Sequence, residues 1–245
     1  MHLHLVQLGR IPYAEGLRIQ DAVVAARKAA IVGDTLLLME HPPVLTLGRN
    51  ATRANIIASD ELLARKGAAI YETNRGGEVT YHGPGQLVGY PIFDLRGDLP
   101  NKRGAFLGPV DFVRLMEEAL ILSCKDFGVQ TQRICKRTGV WTYAGGRIQE
   151  KKIAAIGIHV SNAITSHGFA LNVTTDLRDF NWIVPCGIAD RGVTSLEIES
   201  PQNPPPTLVQ ASNSVAAKFG HVFHRQVLAS NSLDELLATA PTTVR

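Results

Sequence analysis

Two side chains in this sequence have neighbours that suit them to chemistry. Cys186 lies in Ile183-Val184-Pro185-Cys186-Gly187-Ile188. The proline stiffens the approach and the glycine frees the exit, which suits a side chain presented at a bend. A thiolate there attacks carbonyls, and a free backbone N–H beside it stabilises the resulting oxyanion. A thiol reacts only where its pKa is lowered, so a buried structural cysteine is the other reading. Lys152 opens Lys152-Ile153-Ala154-Ala155-Ile156-Gly157. The even positions Ala154, Ile156, Ile158 and Val160 form one apolar face, and alternation puts Lys152 in register with it. Desolvation lowers a lysine pKa and makes the amine a general base. A strand-end lysine that snorkels to water is the alternative. Lys151 has the opposite parity and reads as solvated. Cys124, on an apolar helix face, reads as core, and Cys135 is ambiguous, with a structural role favoured.

A third segment supplies shape. Arg75-Gly76-Gly77-Glu78-Val79-Thr80-Tyr81-His82-Gly83-Pro84-Gly85-Gln86-Leu87 holds four glycines. Glycine admits φ > 0 and close approach, at a high entropic cost, so the stretch reads as a backbone shaped to hold something. His82 in this loop suits orienting a carbonyl, shuttling protons or bracing the backbone. Arg75 suits a phosphate or carboxylate, or pairing with a core acid. His159 lies within a strand and His167 just before Gly168-Phe169; both read as structural, and His167 is the better candidate of the two to line a site. No Gly-x-x-x-x-Gly-Lys-Ser/Thr or Gly-x-Gly-x-x-Gly occurs, so nucleotide binding by those loops is unsupported. No His-x-x-x-His spacing or carboxylate cluster suggests a metal.

These residues must be positioned by a chain of 245 residues, enough for one large domain or two small ones. A net charge of +3 with no basic, aromatic-interleaved window argues against nucleic acid. Three cysteines without a Cys-x-x-Cys spacing argue against a disulfide framework. There is no signal-peptide pattern and no apolar run of bilayer length, so a cytoplasmic, membrane-free protein is expected.

Periodicity predicts strands at 3–8, 35–40, 44–47, 68–72, 87–93, 140–143, 147–160 and 168–173. The run 44–47 reads as the hairpin return of 35–40 across His41-Pro42-Pro43, and Gly145-Gly146 reads as a turn. Helices are predicted at 16–31 with Gly33 as the stop, after Ser59 up to Gly67, at 109–127, at 208–219 and at 233–238, the last capped by Ser232 and Glu235. Strands and hairpins interrupted by helices favour an α+β fold with a mixed or antiparallel sheet and flanking helices. The organisation expected is one domain over 1–245. Residues 1–200 form its core, and 201–245 hold a Pro-rich break and C-terminal helices.

The glycine loop, Gly139-Val140-Trp141, the Lys152 segment, His167-Gly168-Phe169-Ala170-Leu171-Asn172-Val173, the Cys186 segment and Thr194-Ser195-Leu196 together resemble the octanoyltransferases of lipoate biosynthesis. The match runs from about Leu36 to Leu196. The resemblance implies the catalytic fold of biotin and lipoate protein ligases. It implies transfer of an octanoyl group from acyl carrier protein to a lysine of apo lipoyl domains. Those acceptors belong to 2-oxoacid dehydrogenase complexes and the glycine-cleavage H protein. It implies a catalytic dyad of Cys186 and Lys152. The acyl site it implies uses Arg75, Gly76, Gly77, Tyr81, His82, Gly83, Ala154, Ala155, Ile156, Gly157, His167, Gly168, Phe169 and Ala170. The donor is carried on phosphopantetheine, so no ATP, metal or other cofactor is expected. An ATP-dependent ligase of the same fold would instead need an acyl-adenylate site. A thioesterase would release free octanoate, and a non-catalytic binding module would be expected to lack Lys152 or Cys186.

Overall fold

The computed structural model describes residues 1–102, 104–143, 149–184, 192–230 and 235–236. Its elements run β1 (His2–Arg10), α1 (Tyr13–Lys28), β2 (Thr35–Glu40), β3 (Val44–Leu47), α2 (Asp60–Arg65), β4 (Ala69–Glu72), β5 (Val79–His82) and β6 (Gln86–Ile92). They continue α3 (Pro109–Asp126), β7 (Thr131–Ile134), β8 (Arg137–Thr142), β9 (Lys152–Ser161), β10 (Ile164–Asn172), α4 (Leu196–Glu199), α5 (Leu208–Val222) and β11 (Gln226–Ser230). Short 3-10 turns sit at Arg53–Asn55 and Leu177–Trp182.

The eight-stranded main sheet has the order β11-β1-β2-β6-β10-β9-β8-β7. β1 pairs in parallel with both β11 and β2, and the other pairs are antiparallel. A three-stranded sheet, β4-β3-β5, lies apart. The fold is thus α+β with a mixed sheet. One face of the main sheet carries α3 and α5 over a core that includes Leu36, Leu38, Phe93, Ile153, Ala154 and Leu171. Phe93, Phe112, Phe219 and Phe223 pack there with ring centroids 4.8–5.4 Å apart. Each such pair adds about 0.5–1.5 kcal/mol beyond the area it buries. The other face carries α1 through Ile19, Val23 and Ala26.

Several elements depart from the sequence reading. α1 ends at Lys28 because Ala30, at φ 55, takes the left-handed position, with Ile31 N donating to Ala26 O. Gly33 is therefore not the stop. β3 is not the hairpin partner of β2. Both edges of β2 are taken by β1 and β6, and past His41-Pro42-Pro43 the chain crosses to the small sheet, where β3 pairs with β4 and β5. The glycine-rich stretch contains strand β5, and β7, α4 and β11 are further elements that the sequence reading omits. The Ser59 cap is present, accepting from Leu62 N. Gly145, Gly146 and Ser232 lie outside the described residues. Beyond Pro201, α5 joins the core and β11 pairs along β1.

Candidate active site

A cavity of about 350 Å³ opens on the face of the main sheet opposite α3 and α5. β6, β9 and β10 form its floor, and the glycine loop roofs it. Gly76 N donates to Ile158 O at 2.9 Å, along the edge of β9 that β8 leaves free. A Cβ on Gly157 would stand 2.6 Å from Gly76 O, so this approach needs a glycine. The loop is pinned at both ends. Arg75 donates through Nη2 to Thr46 O at 2.6 Å and through Nη1 to Gly76 O at 3.1 Å. Gly85 N donates to Glu40 Oε1 at 2.6 Å, and Arg10 grips the same carboxylate with two bonds of 2.9 Å. Arg75 is 8% exposed and, among the described residues, pairs with no carboxylate. Burial lowers its pKa.

Lys152 lines the cavity by a route that alternation does not reveal. Val140 pairs with Ala154 and Trp141 with Lys152, so Ile153 is an extra residue in the ladder. This bulge reverses the parity. Ile153 and Ala154 both enter the α3/α5 core, while Lys152 comes to the cavity side with Trp141. The expected register of Lys152 with Ala154 is corrected accordingly. Lys152 Nζ stands 4.7 Å from the centroid of the Trp141 ring. Burial, then the charge of Arg137, pulls its pKa down to about 8, against a smaller opposing pull from Glu78. Gly139, at φ 119, leaves the space that the lysine stem and Ala154 O occupy. Its N–H donates to Glu117 Oε1 at 3.0 Å, and that fully buried carboxylate also accepts from Arg114 and Arg133.

A chain of side-chain amides links the loop to Lys152. Asn172 Nδ2 donates to Thr194 O at 2.9 Å, which leaves its Oδ1 to accept from Gln86 Nε2 at 2.9 Å. Gln86 Oε1 is then the acceptor for His82 Nδ1 at 2.7 Å. His82 therefore carries its proton on Nδ1 and keeps Nε2 as an acceptor. Burial, helped by nearby His41 and Arg75, drops its pKa to about 3, and burial with Arg75 drops that of His167 to about 4. Both rings are neutral at pH 7. Thr194 N donates to Lys152 O at 3.0 Å, and Lys152 N donates to Gly192 O at 3.1 Å.

Among the residues expected at an acyl site, Arg75, Gly76, Gly77, His82, Ala155, Ile156, Gly157, His167, Gly168, Phe169 and Ala170 line this cavity. Ala154, Tyr81 and Gly83 do not. Ala154 is in the core on the opposite face, and Tyr81 fills the core of the small sheet with its hydroxyl donating to Asp179 at 2.7 Å. A Cβ on Gly83 would strike that hydroxyl. Cys186 lies outside the described residues. Ile183 and Val193, each one residue removed from the ends of the described chain at Val184 and Gly192, line the cavity. Sequence reasoning missed Tyr13, Val88, Tyr90 and Asn172 as lining residues. The period-two spacing of Val88 and Tyr90 in β6 was the available signal, whereas nothing local marks Tyr13. Among the described residues, no group of three or more His, Cys, Asp or Glu side chains is placed to hold a metal, and no helix is long and apolar enough to cross a membrane.

Comparison with known proteins gives this geometry a family. The model of the lipoyl protein ligase A/B catalytic domain matches residues 12–220. An octanoyltransferase of Acidobacterium capsulatum is 60% identical over 242 residues, covering 99% of this chain and 98% of that protein. One of Koribacter versatilis is 48% identical over 250 residues, covering 99% and 96%. A bipartite lipoate protein ligase of Thermoplasma acidophilum superposes with a TM-score of 0.70 at 18% identity, over 97% of this chain and 91% of that one. A lipoate-protein ligase A bound with ATP gives 0.69 at 16%, over 97% and 93%. The two structures share the fold. The two sequence relatives and the matched domain go further, and the chain belongs to the lipoyl protein ligase A/B catalytic domain family as an octanoyltransferase, an acyltransferase of lipoate biosynthesis.

Proposed function

We propose that the chain moves an octanoyl group from the phosphopantetheine of acyl carrier protein to a lysine of apo lipoyl domains, including the glycine-cleavage H protein, through an acyl thioester on Cys186. The observation that carries this reading is Lys152, buried beside Trp141 with a pKa near 8, which is neutral often enough at physiological pH to take a proton. Ile183 and Val193, which precede and follow Cys186 in the chain, line the same cavity as Lys152, which supports pairing of the thiol with the amine.

In the first half-reaction Lys152 takes the Cys186 proton and the thiolate attacks the donor thioester carbonyl. The carrier thiol leaves with that proton, and the acyl group stays on sulfur. In the second, Lys152 deprotonates the incoming ammonium, which starts near pKa 10.4. The amine then attacks the acyl carbonyl, the C–S bond breaks, and Cys186 leaves as the thiol with the proton the nitrogen gives up, forming the amide. Thioester to amide is downhill, so the sequence of steps uses no ATP, metal or other cofactor, and two half-reactions through one sulfur give ping-pong kinetics. Ala155, Gly157, Gly168 and Ala170 on the cavity floor leave room for an alkyl chain. Each buried CH₂ contributes about 0.8 kcal/mol.

Intact-mass spectrometry tests this. Wild type, Cys186→Ser and Lys152→Ala are mixed with octanoyl-acyl carrier protein, then with an apo lipoyl domain. The expected result is a hydroxylamine-labile octanoyl adduct on wild type that passes to the acceptor, and no such adduct on Cys186→Ser. Acceptor modification only with ATP and free octanoate would overturn the reading in favour of a ligase. Release of free octanoate without an acceptor would favour a thioesterase.

A further inference from the structure

The cavity that holds Lys152 has a neighbour. A second depression, of about 740 Å³, lies between α1 and the β9–β10 hairpin, where Gln20, Lys28, Arg49 and Asn74 line it. His167 lines both, although it is only 4% exposed. Its side chain is therefore part of the partition between them.

The partition is built with care for its position. His167 has φ 54, a left-handed conformation unfavourable for residues larger than glycine. Gln20 Oε1 accepts its backbone N–H at 2.7 Å. Its Nε2 meets Asn74 Oδ1 at 2.7 Å, which makes that nitrogen the donor, and the Tyr90 ring stands edge-on at 6.0 Å. The wall is also at the far end. His167 pairs across the ladder with Ile158, six positions after Lys152 on β9. At about 3.3 Å per residue, with one residue absorbed in the bulge, that is roughly 17 Å. An extended eight-carbon chain covers about 9 Å at roughly 1.25 Å per C–C bond, and the thioester sulfur and the side chain that carries it take up part of the rest.

We propose that His167, held by Asn74 and Gln20, is the end wall that sets acyl chain length, and that the groove behind it is where a longer tail runs once the wall is removed. The inference rests on the octanoyl-transfer reading above. A histidine gives that wall a polar surface, against which a terminal methyl stops and beyond which further carbons have no room.

The test measures kcat/KM for octanoyl, decanoyl, dodecanoyl and tetradecanoyl carrier proteins with the full chain. His167→Gly removes the wall and suits the left-handed backbone. Asn74→Ala removes the partner of the ring without touching β10, and decides the matter if His167→Gly fails to fold. The dodecanoyl-to-octanoyl ratio is expected to rise about tenfold or more in His167→Gly, mainly through a lower dodecanoyl KM, and to rise less in Asn74→Ala. An unchanged chain-length profile, or an equal loss for every chain, overturns the end-wall role while leaving octanoyl transfer intact as a reading. Failure of wild type to transfer octanoate from any carrier would instead sink the reading on which this rests.

Discussion

Replacing Lys152 by methionine should stabilise the protein at neutral pH while destroying its activity. Methionine keeps most of the stem volume and removes the buried charge. A fall in the lysine pKa from 10.5 to about 8 corresponds to about 3 kcal/mol at about 1.4 kcal/mol per pH unit. The face of Trp141 at 4.7 Å attracts the ammonium and offsets about 1 kcal/mol of that, which leaves roughly 2 kcal/mol. The sign follows from proton uptake. Below about pH 8 both folded and unfolded chains hold the proton, and the folded state bears the whole cost. Between about 8 and 10.5 the unfolded chain holds more protons, so stability rises with pH. The advantage of Lys152→Met is therefore largest at neutral pH and fades toward pH 10.5. Urea unfolding at steps across that window measures it, with both proteins in a Cys186→Ala background so that the thiol does not titrate. A difference that stays constant with pH, or a variant less stable at neutral pH, would refute the argument that Lys152 is desolvated. With Cys186 present, the loss of a general base should cost about 10²–10⁴ in kcat, read from octanoylation of an apo lipoyl domain.

Gly157→Ala drives a methyl into Gly76 O, so the glycine loop should lift, with about 1–3 kcal/mol lost in urea unfolding and a raised KM for the acyl donor. Glu117→Gln leaves Arg114, Arg133 and Gly139 N sharing one neutral acceptor. The two arginines are partly exposed, so the expected loss is about 2 kcal/mol, accompanied by a lower kcat as β8 loosens under Trp141. Tyr81→Phe removes the bond to Asp179 in the small sheet and should cost about 1 kcal/mol in thermal unfolding with chain-length preference unchanged. A change in that preference would show that Tyr81 reaches the acyl site after all.

What could be read from the sequence depended on how local the cause was. β2 and α3 follow from an unbroken apolar run and from Pro109 followed by a helical period, both confined to a few turns of chain. The glycine loop stands out because its cost has to be met by a close approach, and Gly76 against Gly157 is that approach. The bulge at Ile153 leaves no such mark. Ile153 is an ordinary strand residue, and only the pairing with β8 shows that it is the extra one. Tyr81, Gly83 and Ala154 share motifs with lining residues yet serve the packing behind them, a distinction that requires knowing which way each strand faces. Tyr13 comes to the cavity on a helix far away in the chain, and β11 becomes a strand only beside β1.

That last pairing bears on how the chain is made. β1 is formed from residues 2–10, but one of its two edges has nothing to bond until residues 226–230 arrive. Through most of synthesis, the sheet therefore presents a row of unpaired N–H and C=O groups beside Leu3 and Leu5. Such an edge is a template for a neighbouring chain. The same exposure would follow from any cut placed between α5 and β11. The closing strand of this fold thus works as protection against self-association, although it lies on the far side of the sheet from the chemistry.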